Sequence, residues 1–151
     1  MKHEILKATG NLVIELRDEF GVLKTKREVK NLVVTVGRRF IASRMANSDS
    51  ALMSHMAIGT GTTLPSAADE MLASESARVN LTGPGAVTDV TVTYSATFPA
   101  NTPAADAPIT EAAIFNAATG GSMLCRTTFD VVNKSVNDTL TINWNVTINA
   151  A

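Results

Sequence analysis

The chain has 151 residues, of which 45% are hydrophobic, 18% charged and 5% aromatic, and it carries a formal net charge of −1. That length suits one domain with its own core, and a lone cysteine, Cys125, excludes an internal disulfide framework or a cysteine-rich metal knuckle. No stretch approaches about 18 consecutive apolar residues, which excludes a membrane-spanning helix, and Lys2, Glu4, Lys7 and Glu15 interrupt the region where a secretory leader would be apolar.

Charge is unevenly spread: Met1 to Arg44 holds ten Lys/Arg against five Asp/Glu, whereas the remainder holds three against nine. Such a split can steer a basic arm towards an acidic partner or dock one copy onto the next. Within this basic third, Asn11 to Asp18 and Val22 to Val34 read as a hairpin turning at Asp18-Glu19-Phe20-Gly21. Lys24, Lys26, Glu28 and Lys30 fall on one strand face by the period of two. Residues from about 1 to 35 thus form a basic hairpin or arm. A helix is expected over Val36 to Ala46, with Phe40, Ile41 and Met45 on one side and Asn47-Ser48-Asp49-Ser50 as its stop. Phe20 and Phe40 both read as packing residues.

The stretch Met-Ala-Ile-Gly-Thr-Gly-Thr-Thr, residues 56 to 63, asks whether two close glycines cradle a phosphate. One threonine separates Gly59 from Gly61 and no lysine follows, which is not a Walker loop; the third glycine of a dinucleotide fingerprint is replaced by Leu64. The expectation is a strand that exits into a polar surface loop, Gly59-Thr60-Gly61-Thr62-Thr63, pinned back by Leu64 and Met71. Gly59 to Met71 and Pro99 to Pro108 are the loosest segments of the chain.

Ala77 to Thr82 and Val87 to Pro99 read as strands either side of a Gly83-Pro84-Gly85 turn, the second offering Val90, Val92, Tyr94, Ala96 and Phe98 to the core. Pro108 to Ala117 and Ser122 to Phe129 form a hairpin closed by Ala118-Thr119-Gly120-Gly121. Cys125 lies in its second strand as a small buried hydrophobe, with Arg126 on the opposite face. At the C-terminus Leu140, Ile142, Trp144, Val146 and Ile148 alternate with Thr and Asn, the signature of a half-buried strand. About eight strands and one short helix predict a mainly β chain: a single antiparallel β-sandwich, jelly-roll-like or immunoglobulin-like, over residues 1–151.

Sites of chemistry are thinly supported. His3 and His55 are far apart, and the zinc-protease start at His3-Glu4 meets Lys7 where the second histidine belongs. Asp69, Glu70 and Glu75 lack the spacing of a calcium loop and read as a solvated loop or helix cap. Four Asn-x-Ser/Thr sequons, at Asn80, Asn133, Asn137 and Asn145, are what an Asn- and Thr-rich chain produces by chance. Aromatics interleaved with basic residues, as nucleic-acid binding would want, are lacking. No catalytic residue, cofactor or metal is expected, and the chain reads as a non-enzyme.

The order of segments carries a further signal: KNLVVTVGRRFIASRM, MSHMAIGTGTT, ESARVNLT, VTYSATFP, ITEAAIFNAATGGSMLCRTTF and VVNKSVNDTLTINW. From about Lys30 to Ile148 this resembles a family of small virion structural proteins of tailed bacteriophages. The resemblance implies a particle component, assembled in the bacterial host cytoplasm, with the major capsid protein or other virion proteins as partners. It implies a homo-oligomer, dimer or trimer, with no specific nucleic acid and no membrane. Without a fibre repeat, collagen-like tract or coiled coil, the favoured expectation is a capsid decoration, or cement, protein. The alternative is a tail, baseplate or fibre-attachment subunit, and the third reading is a carbohydrate-binding module for host attachment. Lys24, Lys26, Arg27, Arg38, Arg39, Gly59, Thr60, Gly61 and Thr62 are the expected contact residues.

Overall fold

The structure, a computed structural model, describes residues 5–46 and 51–150. The expected helix stop at Asn47 to Ser50 and the His3-Glu4 pair lie outside them. In chain order the elements are β1 (Leu6–Arg17), β2 (Leu23–Val33), α1 (Thr35–Met45), β3 (His55–Gly59), β4 (Glu75–Asn80), β5 (Ala86–Thr88), β6 (Thr91–Phe98), β7 (Ala107–Phe115), β8 (Met123–Lys134) and β9 (Thr139–Ala150). The described strands form one antiparallel sheet in the order β4-β3-β7-β8-β2-β1-β9-β6-β5. The expected hairpin of β1 and β2 therefore occupies the middle of the sheet.

The sheet curls because β2 holds β8 at only two positions, Leu32 opposite Arg126 and Val33 opposite Cys125. Strands β2, β1, β9, β6 and β5 make one leaf and β8, β7, β3 and β4 the other, giving the expected sandwich-like fold with the core between them. Period-two sequence builds the first leaf. Leu16, Leu140 and Phe98 stand in register across β1, β9 and β6, followed by Ile14, Ile142 and Ala96, then Leu12, Trp144 and Tyr94. All but Tyr94 are essentially inaccessible, and each large side chain so buried contributes about 1.5–3 kcal/mol. Outward, hydroxyl and amide side chains bond across strands: Thr91 to Thr147 at 2.8 Å, Thr93 to Asn145 at 2.7 Å and Ser95 to Asn143 at 2.7 Å.

The second leaf is buried on both faces. Met56, Ile58, Ile109, Ala112 and Ile114 face the main core, while Ala57, Ala113, Phe115 and Met123 belong to a second cluster with Val34 and Leu72. The chain between β3 and β4 supplies Leu72 and covers this outer face.

Four expectations need correction. Val87 to Pro99 is not one strand: Asp89, at φ 52°, and Val90 turn the chain between β5 and β6, so Val90 is half exposed. A short polar side chain tolerates that left-handed backbone, which hides the turn from a pattern search. Phe20 is no core residue but 82% exposed; Met45, on the last turn of α1, is likewise exposed. Leu64 and Met71 point to solvent, and Leu72 is the residue that pins their segment down.

Candidate functional site

The segment Thr60 to Ser74 is fastened to the outer face of β7 and β8 by one buried carboxylate. Glu111, on β7, has no exposed surface. Its Oε2 accepts N–H bonds from Gly61 at 2.8 Å and Ser74 at 2.7 Å, and its Oε1 accepts from Ala73 N–H at 2.9 Å and the Arg126 guanidinium at 3.0 Å. Both mouths of the segment are thus clamped by a single side chain. A Cβ added to Gly59 or Gly61 would collide with the Glu111 carboxylate, and in Gly59 also with the Ser74 carbonyl. Glycine is required here for close approach of backbone to carboxylate.

Arg126, on β8, is 1% exposed and serves the middle of the same segment. It donates to Asp69 Oδ2 at 2.9 Å and to the Thr63 carbonyl at 2.7 Å, while Asp69 Oδ2 also accepts the Ser66 N–H at 2.8 Å. Thr110 Oγ1 donates to the Gly61 carbonyl at 2.8 Å, and Thr35 N–H at the start of α1 donates to the Ala67 carbonyl at 2.8 Å. The expectation of a loose segment and of a solvated Asp69 is therefore corrected: buried charge ties both down. Glu75 pairs instead with Arg78 at 2.7 Å. Arg126 Nε finds no hydrogen-bond partner among the described residues.

Burial pushes the Glu111 carboxyl up, but N–H donors from Ser74, Ala73 and Gly61 and the Arg126 guanidinium outweigh it and hold the group below the usual carboxylate range. An ionised carboxylate with four donors has no capacity left to take a proton from a substrate. The glycine pair does wrap an anion, but that anion is part of the chain. What the segment offers outward is a fixed ridge, with Thr62, Thr63, Leu64 and Met71 exposed.

The basic residues singled out from the sequence do not form one patch, and most lie away from this segment. Lys24 Nζ is bound to Asp138 Oδ2 at 2.7 Å in the turn between β8 and β9. Burial raises the Asp138 carboxyl, yet the Lys24 bond, the Ser135 N–H and the charges of Lys24 and Lys134 bring it below its ordinary value. Lys26 stands opposite Glu15 on the outer face, while Arg27, opposite Ile14, has the other parity and is half buried. Arg38 donates to Thr35 Oγ1 at 3.0 Å, which places it beside the covering segment, and Arg39 is exposed. The structure thus places Arg38 beside the middle of the segment that Gly59, Thr60, Gly61 and Thr62 open, and leaves Lys24, Lys26 and Arg27 on the other leaf. Sequence reasoning missed Glu111 and Arg126. The available signal was a charge set against an apolar run in each of two strands, Glu111 directly before Ala112 to Phe115 and Arg126 directly after Met123 to Cys125.

Residues 41–148 match a family model described as podophage GP4 fiber I protein gp80. The chain belongs to this family. That makes it a structural protein of a bacteriophage virion, as its segment order suggested. No curated protein and no solved structure matches. The fibre-family match takes in Gly59, Gly61, Glu111 and Arg126, so the carboxylate clamp lies within the family's common region. It begins inside α1, and Lys24, Lys26, Arg27, Arg38 and Arg39 precede it.

Proposed function

We propose that the chain is a non-enzymatic structural subunit of a phage tail-fibre assembly, holding its place by contacts with other virion proteins. The observation that carries this reading is the match of residues 41–148, from within α1 into β9, to a podophage fibre family. It favours the tail and fibre alternative over capsid decoration. The clamp accords with a scaffolding role, because it commits two fully buried charges, Glu111 and Arg126, to holding a surface ridge rigid. The ridge Thr60 to Ser74, with Arg38 beside its middle and Arg39 exposed on α1, is the contact surface under this reading. Lys26, exposed on the outer face of the first leaf, marks a second, electrostatic one.

Labelling the chain in intact virions and counting its copies tests the assignment. Label confined to the tail, at low copy number, is the expected result. Label spread over the head, in proportion to the capsid protein, would return the decoration reading.

A further inference from the structure

The two ends of the first leaf are complementary. At one end the turn between β1 and β2 is rigid: Asp18 Oδ1 accepts the N–H of Phe20 at 2.9 Å and of Val22 at 3.0 Å, and Asp18 N–H bonds the Val22 carbonyl at 3.0 Å. This small frame holds the Phe20 ring 82% exposed, beside Val22 at 59%. An aromatic side chain held in water by a stiff turn has the character of an interface anchor.

At the other end, between α1 and the leaf, lies an open apolar cavity of about 300 Å³, lined by Phe40, Ile41, Val92, Tyr94, Val146 and Ile148 among others. Leu52 and Val87 stand on its rim, 60% and 71% exposed. An apolar cavity of about 150 Å³ already accepts benzene, so a benzyl group fits here with room for Val22 to follow. Register fixes the opposition of the two features. Arg17, next to the turn, pairs with Thr139 at the start of β9, whereas Val146 and Ile148 lie near its far end. Charge is complementary too: Arg44 of α1 lines the cavity, while the turn carries Asp18 and Glu19, with the adjoining Arg17 bonded back to Glu15 and to the Gly21 carbonyl.

We infer that copies of this chain associate head to tail, the Phe20 turn of one seated in the cavity beneath α1 of the next. Knob and hole are different surfaces, so the contact is heterologous and propagates into a ring or an open stack. The inference goes beyond the proposed function, because association is a property of the chain itself wherever in the virion it sits.

Sedimentation velocity of the full chain, from micromolar to millimolar concentration, tests it with two variants at exposed positions. Wild type is expected to grow past dimer as concentration rises. Phe20→Ser removes the knob and Leu52→Glu obstructs the hole; each is expected to weaken self-association by about tenfold or more without changing the melting curve. Mixing the two variants is expected to yield dimers and nothing larger, because the mixture retains one intact knob and one intact hole per pair. A wild type that stays monomeric overturns the inference, including the case in which its cavity binds a small apolar probe such as decanoate. Association untouched by Phe20→Ser overturns it as well, and so does a mixture that fails to dimerise.

Discussion

Replacing Glu111 by glutamine tests the clamp most directly, since it preserves shape and removes only one oxygen and a charge. Every polar contact of the carboxylate is with a donor, two on each oxygen. Whichever way the amide of a glutamine is turned, its NH2 faces two donors, and two hydrogen bonds to a charged acceptor are lost. At about 1.5–3 kcal/mol each, this would cost about 3–6 kcal/mol. Arg126 retains Asp69, itself partly exposed, which favours the lower part of that range; we expect about 3–5 kcal/mol, as for breaking a buried pair on one side. Urea unfolding followed by the fluorescence of Trp144, the sole tryptophan and fully buried, reads the loss. A change within the roughly 0.5 kcal/mol of an ordinary surface substitution would refute the reasoning. Acid supplies a second readout. The Glu111 carboxyl is depressed in the folded state, so its stabilisation is complete above the unfolded value of about 4.3 and drains away as pH falls through the folded one. Asp138 contributes in the same sense. The stability of Glu111→Gln should therefore fall less steeply than that of wild type below about pH 4.3, and the difference in slope isolates Glu111.

Gly61→Val should destabilise by about 1–3 kcal/mol through overpacking, because its Cβ would meet both the Glu111 carboxylate and the Ala73 side chain; thermal melting reads this, and an unchanged melting temperature would mean the segment is less tightly held than described. Cys125 is fully buried and burial pushes its thiol well above the ordinary value. Labelling by a thiol reagent should therefore be slow in the native protein and accelerate with urea along the same transition as Trp144 fluorescence, whereas fast native labelling would contradict the packing of β8 against β2.

The first leaf was legible because only one of its faces is dry. In β9 the alternation of Leu140, Ile142, Trp144 and Val146 with Thr and Asn records which way each side chain points, and the burial follows it residue by residue. The second leaf erases that record. Residues Glu111–Phe115 of β7 and Met123–Arg126 of β8 are buried without alternation, since one face meets the main core and the other meets the covering segment. A pattern of period two assigns Arg126 to the face opposite Cys125, which is right, and then to solvent, which is wrong. Nothing local to β8 announces that a segment starting some sixty residues earlier in the chain lies over it.

Glu111 and Arg126 were missed for that reason, and the same arrangement explains the glycines that drew attention first. A carboxylate that must reach three main-chain N–H groups from two ends of one segment leaves no space for a side chain at Gly61, and the Ser74 carbonyl leaves none at Gly59. The Gly-Thr-Gly pattern is therefore the imprint of a charge placed far along the sequence. Local turn chemistry does not account for it. The backbone angles support this: Gly21, Gly120 and Gly121 adopt positive φ at turns, whereas Gly59 and Gly61 do not. Close glycines whose backbone any residue could adopt point to a tightly packed neighbour, and in this fold that neighbour is the Glu111 carboxylate, already saturated by the chain's own donors. A phosphate would have to displace it, which is why the segment serves as a rigid ridge and not as an anion site.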